Sequence, residues 1–120
     1  MTDRDAPTEI RIRRASRTLE VDFADGYRAV LPAEYLRVES PSAEVQGHSP
    51  AQRKWVAGKA AVNIRAVEPI GYYAIRILFD DGHDTGIYSW TLLRELSDEH
   101  AARWEAYLTA LARLGLSRDG

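Results

Sequence analysis

Residues 19–31 read LEVDFADGYRAVL, and this stretch decides the fold of the chain. Its apolar residues Leu19, Val21 and Phe23 alternate with acidic residues, which is typical of a β-strand with one buried face. The Asp25–Gly26 pair then supplies residues that tolerate a positive φ angle in a tight turn, and the residues after it form the return strand. The stretch therefore predicts an antiparallel hairpin.

The same pattern returns in the second half of the chain. Residues 73–79 place Ile75, Ile77 and Phe79 on one face, and Asp81–Gly82 predicts a second turn that leads into a strand over residues 83–87. Further strands are predicted over 10–14 and 62–67, the latter ended by residues 68–71. Both Asp–Gly turns precede a short helix ending in Leu-Arg, but the offsets differ by one residue and such turns are common. We therefore attribute the similarity to turn chemistry and infer no internal repeat.

Capping and periodicity place the helices. Pro32 suits the first position of a short helix over 33–37, and the Pro/Ser/Gly-rich residues 39–50 predict a long loop. Ser89 is expected to cap a helix through Leu96, and Ser97 to cap a longer one that ends at Gly115. That last helix carries an apolar stripe, which we expect to lie across the strands: Ala101, Trp104, Tyr107, Leu108, Leu111, Leu114.

These elements predict an α+β fold, a small two-layer domain of antiparallel hairpins packed against C-terminal helices. A chain of 120 residues is expected to form one core, with a disordered tail over 1–7, a single domain over 8–115 and a C-terminal tail over 116–120. We find no apolar leader and no span of about 20 apolar residues, so the expected location is the cytoplasm.

Composition excludes several kinds of site. The chain has no cysteine, which rules out disulfides, thiolate nucleophiles and cysteine-held metal ions. Its formal net charge of −2 and interleaved charges do not indicate nucleic-acid binding. The one basic and aromatic cluster, Arg53, Lys54, Trp55 and Lys59, could hold a single strand, but we favour a solvated surface around a partly buried tryptophan.

The three histidines are the candidates for chemistry near neutral pH. We expect His100 to be solvated in the first turn of the last helix, and His48 to lie on the surface of the long loop. His83 follows the second turn among Asp80, Asp81 and Asp84. It could be a metal ligand, a proton carrier or a hydrogen-bonded clamp on the turn, and the clamp is favoured.

Several motifs together resemble a known family. The chain is similar to the gamma-butyrobetaine hydroxylase-like N-terminal domain family, whose small bacterial members stand alone as a domain of unknown function. The resemblance covers about residues 8–115, and its most specific part is the run GHDTGIYSW. The motifs that carry it are LPAEYLR at 31–37, SPSAEVQGH at 40–48, GK at 58–59, EPIG at 68–71 with Tyr73–Ala74, and DGHDTGIYSW at 81–90.

The resemblance implies an accessory module rather than an enzyme. In the hydroxylases this domain precedes an iron- and 2-oxoglutarate-dependent catalytic domain and holds a structural zinc by three cysteines and one histidine. The matching positions here are Ser40, Ser42 and Val45 in place of the cysteines, with His83 retained. We therefore expect no zinc, no other cofactor, and no turnover of 2-oxoglutarate.

Related domains attached to P-loop ATPases that handle iron–sulfur clusters suggest the partners. The first expectation is a non-catalytic interaction domain whose partner is such an ATPase or a separately encoded oxygenase, with no nucleic acid and no membrane. The alternatives are a small enzyme, or a metal-binding protein, that uses His83 with Asp81 or Asp84. We expect the partner surface to contain His83, Asp84 and the 40–48 loop with His48. Arg37 or Arg94 would lie nearby, and Tyr88 and Trp90 would support the surface from behind or fill the core.

Overall fold

Alternating apolar residues build two separate antiparallel sheets. In the computed structural model, which describes residues 6–119, the first sheet contains β1 (Pro7–Arg13), β2 (Thr18–Phe23) and β3 (Arg28–Pro32), paired in that order. The second contains β4 (Ile64–Ile70), β5 (Ala74–Phe79) and β6 (Ile87–Ser89), also in chain order. The inward residues of β2 and β5 are almost fully buried: Leu19, Val21, Phe23, Ile75, Ile77, Phe79. Both predicted hairpins are confirmed.

Four helices complete the α+β domain that the sequence predicts. Within residues 6–119 they are α1 (Ala33–Val38), α2 (Ala43–Gln46), α3 (Trp90–Asp98) and α4 (His100–Leu114), and a 3-10 turn covers Pro50–Gln52. Leu36 of α1 and Leu93 of α3 join both sheets in one core, so the two short helices close the space between the sheets. The Ser89 hydroxyl accepts a hydrogen bond from the Leu92 N–H at 3.0 Å and caps α3 as predicted.

The chain repeats one arrangement. Each half runs strand, strand, strand, helix, from β1 to α1 and again from β4 to α3. The Asp–Gly turns lie between the second and third strands of each half, with φ angles of 87° at Gly26 and 92° at Gly82. The one-residue offset falls in the longer connection before β6. The similarity that we attributed to turn chemistry alone is therefore a repetition of topology.

Several boundaries differ from the sequence prediction. β4 continues through Pro69, which is tolerated because β4 is an edge strand that pairs only with β5. β6 begins at Ile87 rather than at residue 83. Ser97 does not cap the last helix, because α3 runs past it to Asp98. The loop over 39–50 contains α2, and Pro32 is the residue before α1 rather than its first residue.

Helix α4 does not lie across a sheet. Its buried residues Tyr107 and Leu111 pack against Val38 of α1 and against the segment that contains Trp55. Leu108 and Leu114, which the periodicity placed on the apolar stripe, are 36% and 53% exposed. A neighbouring helix and an ordered loop cover a narrower stripe than a sheet would. Gly115, at φ 68°, ends the helix as predicted.

Two residues of the predicted C-terminal tail, Ser117 and Arg118, are bonded to the domain. The Ser117 carbonyl accepts a hydrogen bond from the Gly58 N–H at 2.9 Å, and the Arg118 guanidinium forms two hydrogen bonds with Glu34 on α1, at 2.7 and 2.8 Å. At the other end Pro7 belongs to β1, while residues 1–5 and 120 lie outside the described residues. Over residues 6–119, no helix has the length and apolar character needed to cross a membrane.

Candidate functional site

His83 is fixed by the turn that precedes it. Its backbone N–H donates to Asp81 Oδ1 at 3.0 Å, and its carbonyl accepts from the Phe79 N–H at 3.0 Å. The tight turn thus directs the imidazole inward, where only 4% of the side chain is exposed. His83 is therefore not part of the protein surface, and it could touch a partner only if the segment above it moved.

Both ring nitrogens of His83 contact the segment that follows α1. Nε2 lies 2.9 Å from Ser40 Oγ, and Nδ1 lies 3.3 Å from Glu44 Oε1. Burial lowers the pKa of His83, and the charge of Arg37 lowers it further, against the opposing effect of Glu44. The imidazole is consequently neutral at pH 7, and it fastens residues 40–44 to the second turn.

The order serine, histidine, glutamate is the connectivity of a hydrolytic triad, but the serine cannot be reached. Ser40 is fully buried, and Gly86 packs directly against its hydroxyl. A Cβ placed on Gly86 would lie 2.6 Å from Ser40 Oγ, so this backbone occupies space that an electrophilic carbon would need. The three side chains form a structural link and not a nucleophile.

Asp81 organises the charged side of the same turn. Its Oδ2 accepts from Arg37 Nε at 2.8 Å and from Lys59 Nζ at 2.6 Å. Burial works against ionisation of Asp81, but hydrogen bonds from Lys59, from the His83 N–H and from Arg37 outweigh it and lower the pKa of the carboxyl to about 2. Asp81 is therefore committed to ion pairs and is not a base for His83. We call Asp81, His83, Arg37 and Ser40 the Asp81 junction.

The residues at the four zinc-ligand positions do not suit a zinc ion. Ser40 and His83 do come together, and Ser42 and Val45 are buried in the same segment. Val45 offers no donor atom, and serine hydroxyls are poor substitutes for thiolates at neutral pH. Among residues 6–119, no three His, Cys, Asp or Glu side chains are close enough to share a metal ion.

A counterpart of the Asp81 junction lies in the first half of the chain. Asp25 Oδ1 accepts from the Tyr27 N–H at 3.2 Å, and Oδ2 accepts from Arg94 Nη2 of α3 at 3.0 Å. The Tyr27 hydroxyl bonds to Ser97, which follows Arg94 by three residues as Ser40 follows Arg37. The Arg94 guanidinium also lies over the Tyr27 ring, 3.9 Å from its centroid. We call Asp25, Tyr27, Arg94 and Ser97 the Asp25 junction.

The other predicted site residues are spread over the molecule. Tyr88 is fully buried and its hydroxyl donates to the Leu36 carbonyl at 2.5 Å, so it belongs to the core. Trp90 is half-buried, and its Nε1 donates to the Tyr72 carbonyl at 2.8 Å. Asp84 is exposed beside the second turn. His100 is not simply solvated, because its ring stacks on Tyr35 with centroids 4.3 Å apart.

Sequence reasoning missed a cleft in the loop after α2. The Lys54 N–H donates to the Val45 carbonyl at 2.7 Å and closes the base of this loop. The cleft has a volume of about 490 Å³, with Arg53 stacked 4.0 Å over the Trp55 ring and His48 exposed. We call this space the loop cleft, and its lining residues are Gln46, Gly47, His48, Ser49, Pro50, Arg53 and Trp55. A signal was present in the sequence: residues 45–67 contain no acidic residue.

The model for "Gamma-butyrobetaine hydroxylase-like, N-terminal" matches residues 10–94. The chain belongs to this family. The match spans the Asp81 junction, the loop cleft and all of the Asp25 junction except Ser97, and it stops before α4. No curated protein matches the chain.

Solved structures share the fold of this family member. Two NMR solution structures are 45% and 44% identical to it, with TM-scores of 0.82 and 0.81. The first covers 95% of this chain and 90% of its own, and the second 98% and 89%. A crystal structure of a DUF971-family protein of unknown function from Acidithiobacillus ferrooxidans is 42% identical, with a TM-score of 0.67, and covers 81% and 98%.

Proposed function

We propose that this family member is a non-catalytic interaction domain that presents the 40–55 segment to a protein partner. One observation carries the proposal. The polar groups that could support chemistry are used internally, since His83 contacts Ser40 and Glu44 and only 4% of its side chain is exposed. These contacts hold the 40–55 segment in one conformation. A loop that is already ordered loses less conformational entropy when it binds a partner.

The partner classes follow from the family resemblance. A domain that precedes an oxygenase in one protein, or is joined to an iron–sulfur-handling P-loop ATPase in another, can serve the same catalytic protein when the two chains are encoded separately. We therefore propose one of these two classes as the partner. In this proposal His83 and Arg37 stabilise the binding segment from inside the domain and do not touch the partner. Of the residues predicted for the partner surface, His48 and Asp84 are exposed.

The test is reconstitution with purified candidates. The full chain is mixed with the ATPase or the oxygenase of its own organism and passed over a size-exclusion column, and we expect a stoichiometric complex with one of them. Asp84→Asn and His48→Gln check whether the two exposed residues contribute. The proposal is overturned if neither candidate forms a complex, and equally if the chain alone turns over 2-oxoglutarate in an iron-dependent assay.

A further inference from the structure

The loop cleft lies in a segment whose charge is opposite to that of the rest of the chain. Residues 45–67 contain four of the 16 basic residues and no acid, which leaves 12 basic and all 18 acidic residues for the remainder. Lys54 and His48 within this segment are exposed. The family member is therefore acidic overall, with a formal net charge of −2, whereas this segment is basic. Lys59 is already paired with Asp81 and Arg53 with Glu39, which leaves Lys54 as the exposed positive charge beside Arg53 and Trp55 in the chain.

The arginine in the cleft is only partly neutralised. Glu39 is 1% exposed and accepts from Arg53 Nη2 at 2.9 Å and from Arg103 Nη1 at 2.9 Å, so two guanidinium groups share one buried carboxylate. Glu99 pairs with Arg103 as well, but the described residues offer no second carboxylate to Arg53. The Nε of Arg53 is buried without an acceptor among the described residues. Glu39 and Glu99 together balance Arg53 and Arg103 formally, so an anionic group in the cleft would meet a guanidinium that shares its one carboxylate with a second arginine.

The walls of the cleft are held in place before any ligand binds. Gly47 has φ 67°, and a Cβ there would lie 2.6 Å from Gln52 Cβ, so the two sides of the loop touch. The Gln52 side chain accepts from the His48 N–H at 2.8 Å. A rigid loop loses little conformational entropy on binding.

We propose that the loop cleft binds an acidic segment of a protein partner, with an Asp or Glu carboxylate received between His48 and Arg53. This inference rests on the proposed function and names the chemistry of the contact. Charge complementarity favours a carboxylate-rich peptide, and Lys54 at the base of the loop extends the positive surface. A single strand of nucleic acid needs free aromatic faces, whereas Trp55 is the one aromatic residue of the cleft and Arg53 already covers one of its faces.

The experiment uses ¹⁵N-labelled full chain titrated with hexaglutamate at low salt, followed by ¹H–¹⁵N correlation spectra. We expect saturable shifts of the Gly47 and His48 amides and of the Trp55 indole. Raising the salt from about 20 mM to about 200 mM should weaken binding at least about fivefold. Inorganic phosphate and oligothymidine are titrated in parallel, and both should bind more weakly than the peptide.

A matched pair of variants locates the site. His48→Gln/Lys54→Gln should weaken hexaglutamate binding at least about fivefold, since it removes the imidazole from the cleft and the positive charge of the neighbouring Lys54. The control Arg13→Gln/Arg113→Gln removes two exposed positive charges elsewhere and should change the affinity less than about twofold. Unchanged amide spectra outside the loop show that both variants are folded.

Four results would overturn the inference. They are the absence of saturable shifts in the loop, an equal loss of affinity in the control variant, tighter binding of oligothymidine, and tighter binding of phosphate. If a reconstituted complex forms but is insensitive to His48→Gln/Lys54→Gln, the acidic-segment assignment is wrong while the proposed interaction function stands.

Discussion

The Asp25 and Asp81 junctions have the same connections and differ in burial. In both, an aspartate accepts from the backbone N–H two residues on and from an arginine of the helix in the other half. The side chains of Asp81 and Arg37 are 18% and 11% exposed, and those of Asp25 and Arg94 are 56% and 34% exposed. The same turn motif therefore forms a surface ion pair in the first half of the chain and a buried set of contacts in the second half.

What buries the Asp81 junction is the long connection between α1 and β4. It supplies Lys59 to Asp81 and Glu44 to His83, and the Asp25 junction has no equivalent cover because α3 leads almost directly into α4. In the buried junction a histidine stands where the exposed one has Tyr27. Matched substitutions in the two junctions can therefore separate the effect of the turn hydrogen bond on stability from the effect of burial.

The largest difference is expected between Asp81→Ala and Asp25→Ala. Both remove the same turn hydrogen bond, but the first leaves a buried arginine without a partner and should lower the free energy of unfolding by about 3 kcal/mol. The second breaks a surface pair and should cost less than about 1.5 kcal/mol including the turn bond. Urea unfolding of both variants measures the difference, and equal losses would mean that burial of the junction does not matter.

Gly86→Ala tests the close contact that is special to the buried junction. The new Cβ would lie 2.6 Å from Ser40 Oγ and 3.0 Å from Tyr88 Cε1, and overpacking of this kind costs about 1–3 kcal/mol. Ser40→Ala removes one of the two clashing atoms, so the double variant should lose less stability than the sum of the single variants. Additive losses in thermal melts would contradict this packing.

The pH dependence of stability should differ between the junctions. Burial and Arg37 lower the pKa of His83 in the folded state, against Glu44, Asp81 and Asp84, so between its folded and unfolded values the unfolded chain binds more protons. Stability should therefore fall as the pH drops through the ordinary histidine value of about 6.5 and on toward the lower pKa that His83 has in the folded chain. His83→Asn should flatten this slope, whereas Tyr27→Phe in the exposed junction should leave it in place. Urea unfolding of both variants at a series of pH values measures these slopes, and an unchanged slope in His83→Asn would contradict the prediction.

The smallest expected effect is that of a chelator. With one histidine retained at the four ligand positions, the Asp81 junction should hold no zinc, and EDTA should leave the melting temperature unchanged. Metal analysis of the purified chain provides the independent check. Stoichiometric zinc, or a chelator-induced fall of many degrees, would show that the serines take part in a metal site after all.

The sequence could predict the hairpins because each rests on local alternation and on one Asp–Gly turn. Local patterns also located the Ser89 cap and the Gly115 helix end. They could not show that Arg37 reaches Asp81 or that His83 reaches Ser40, because these contacts join residues about 40 positions apart in the chain. The prediction that His83 lies on the partner surface was wrong for the same reason. Its burial depends on the segment with Ser40 and Glu44, which is distant in the chain and folds over it.

The cleft was missed for a related reason. Two of its residues, Arg53 and Trp55, belong to the predicted basic and aromatic cluster, and most of the others lie in the predicted long loop. The hydrogen bond between Val45 and Lys54 and the contact of Gly47 with Gln52 cannot be inferred from spacing. The stacking of His100 on Tyr35 likewise depends on how α4 packs on α1. Long-range packing, rather than any local motif, determines which polar residues remain on the surface.

Amide hydrogen exchange in His83→Ala measures whether His83 holds the 40–55 segment in place from inside the domain. We expect markedly lower protection of the Lys54 amide, which donates to Val45 and closes the loop, and of the Gly47 amide, which donates to Ala43 at the end of α2, while protection of Val21 and Ile77 in the sheets is kept. Tyr27→Phe, in the exposed junction, should leave the exchange of the loop amides unchanged. If the His83→Ala protein is folded and its loop amides exchange as slowly as those of the unmodified chain, His83 does not hold the loop and the account is contradicted.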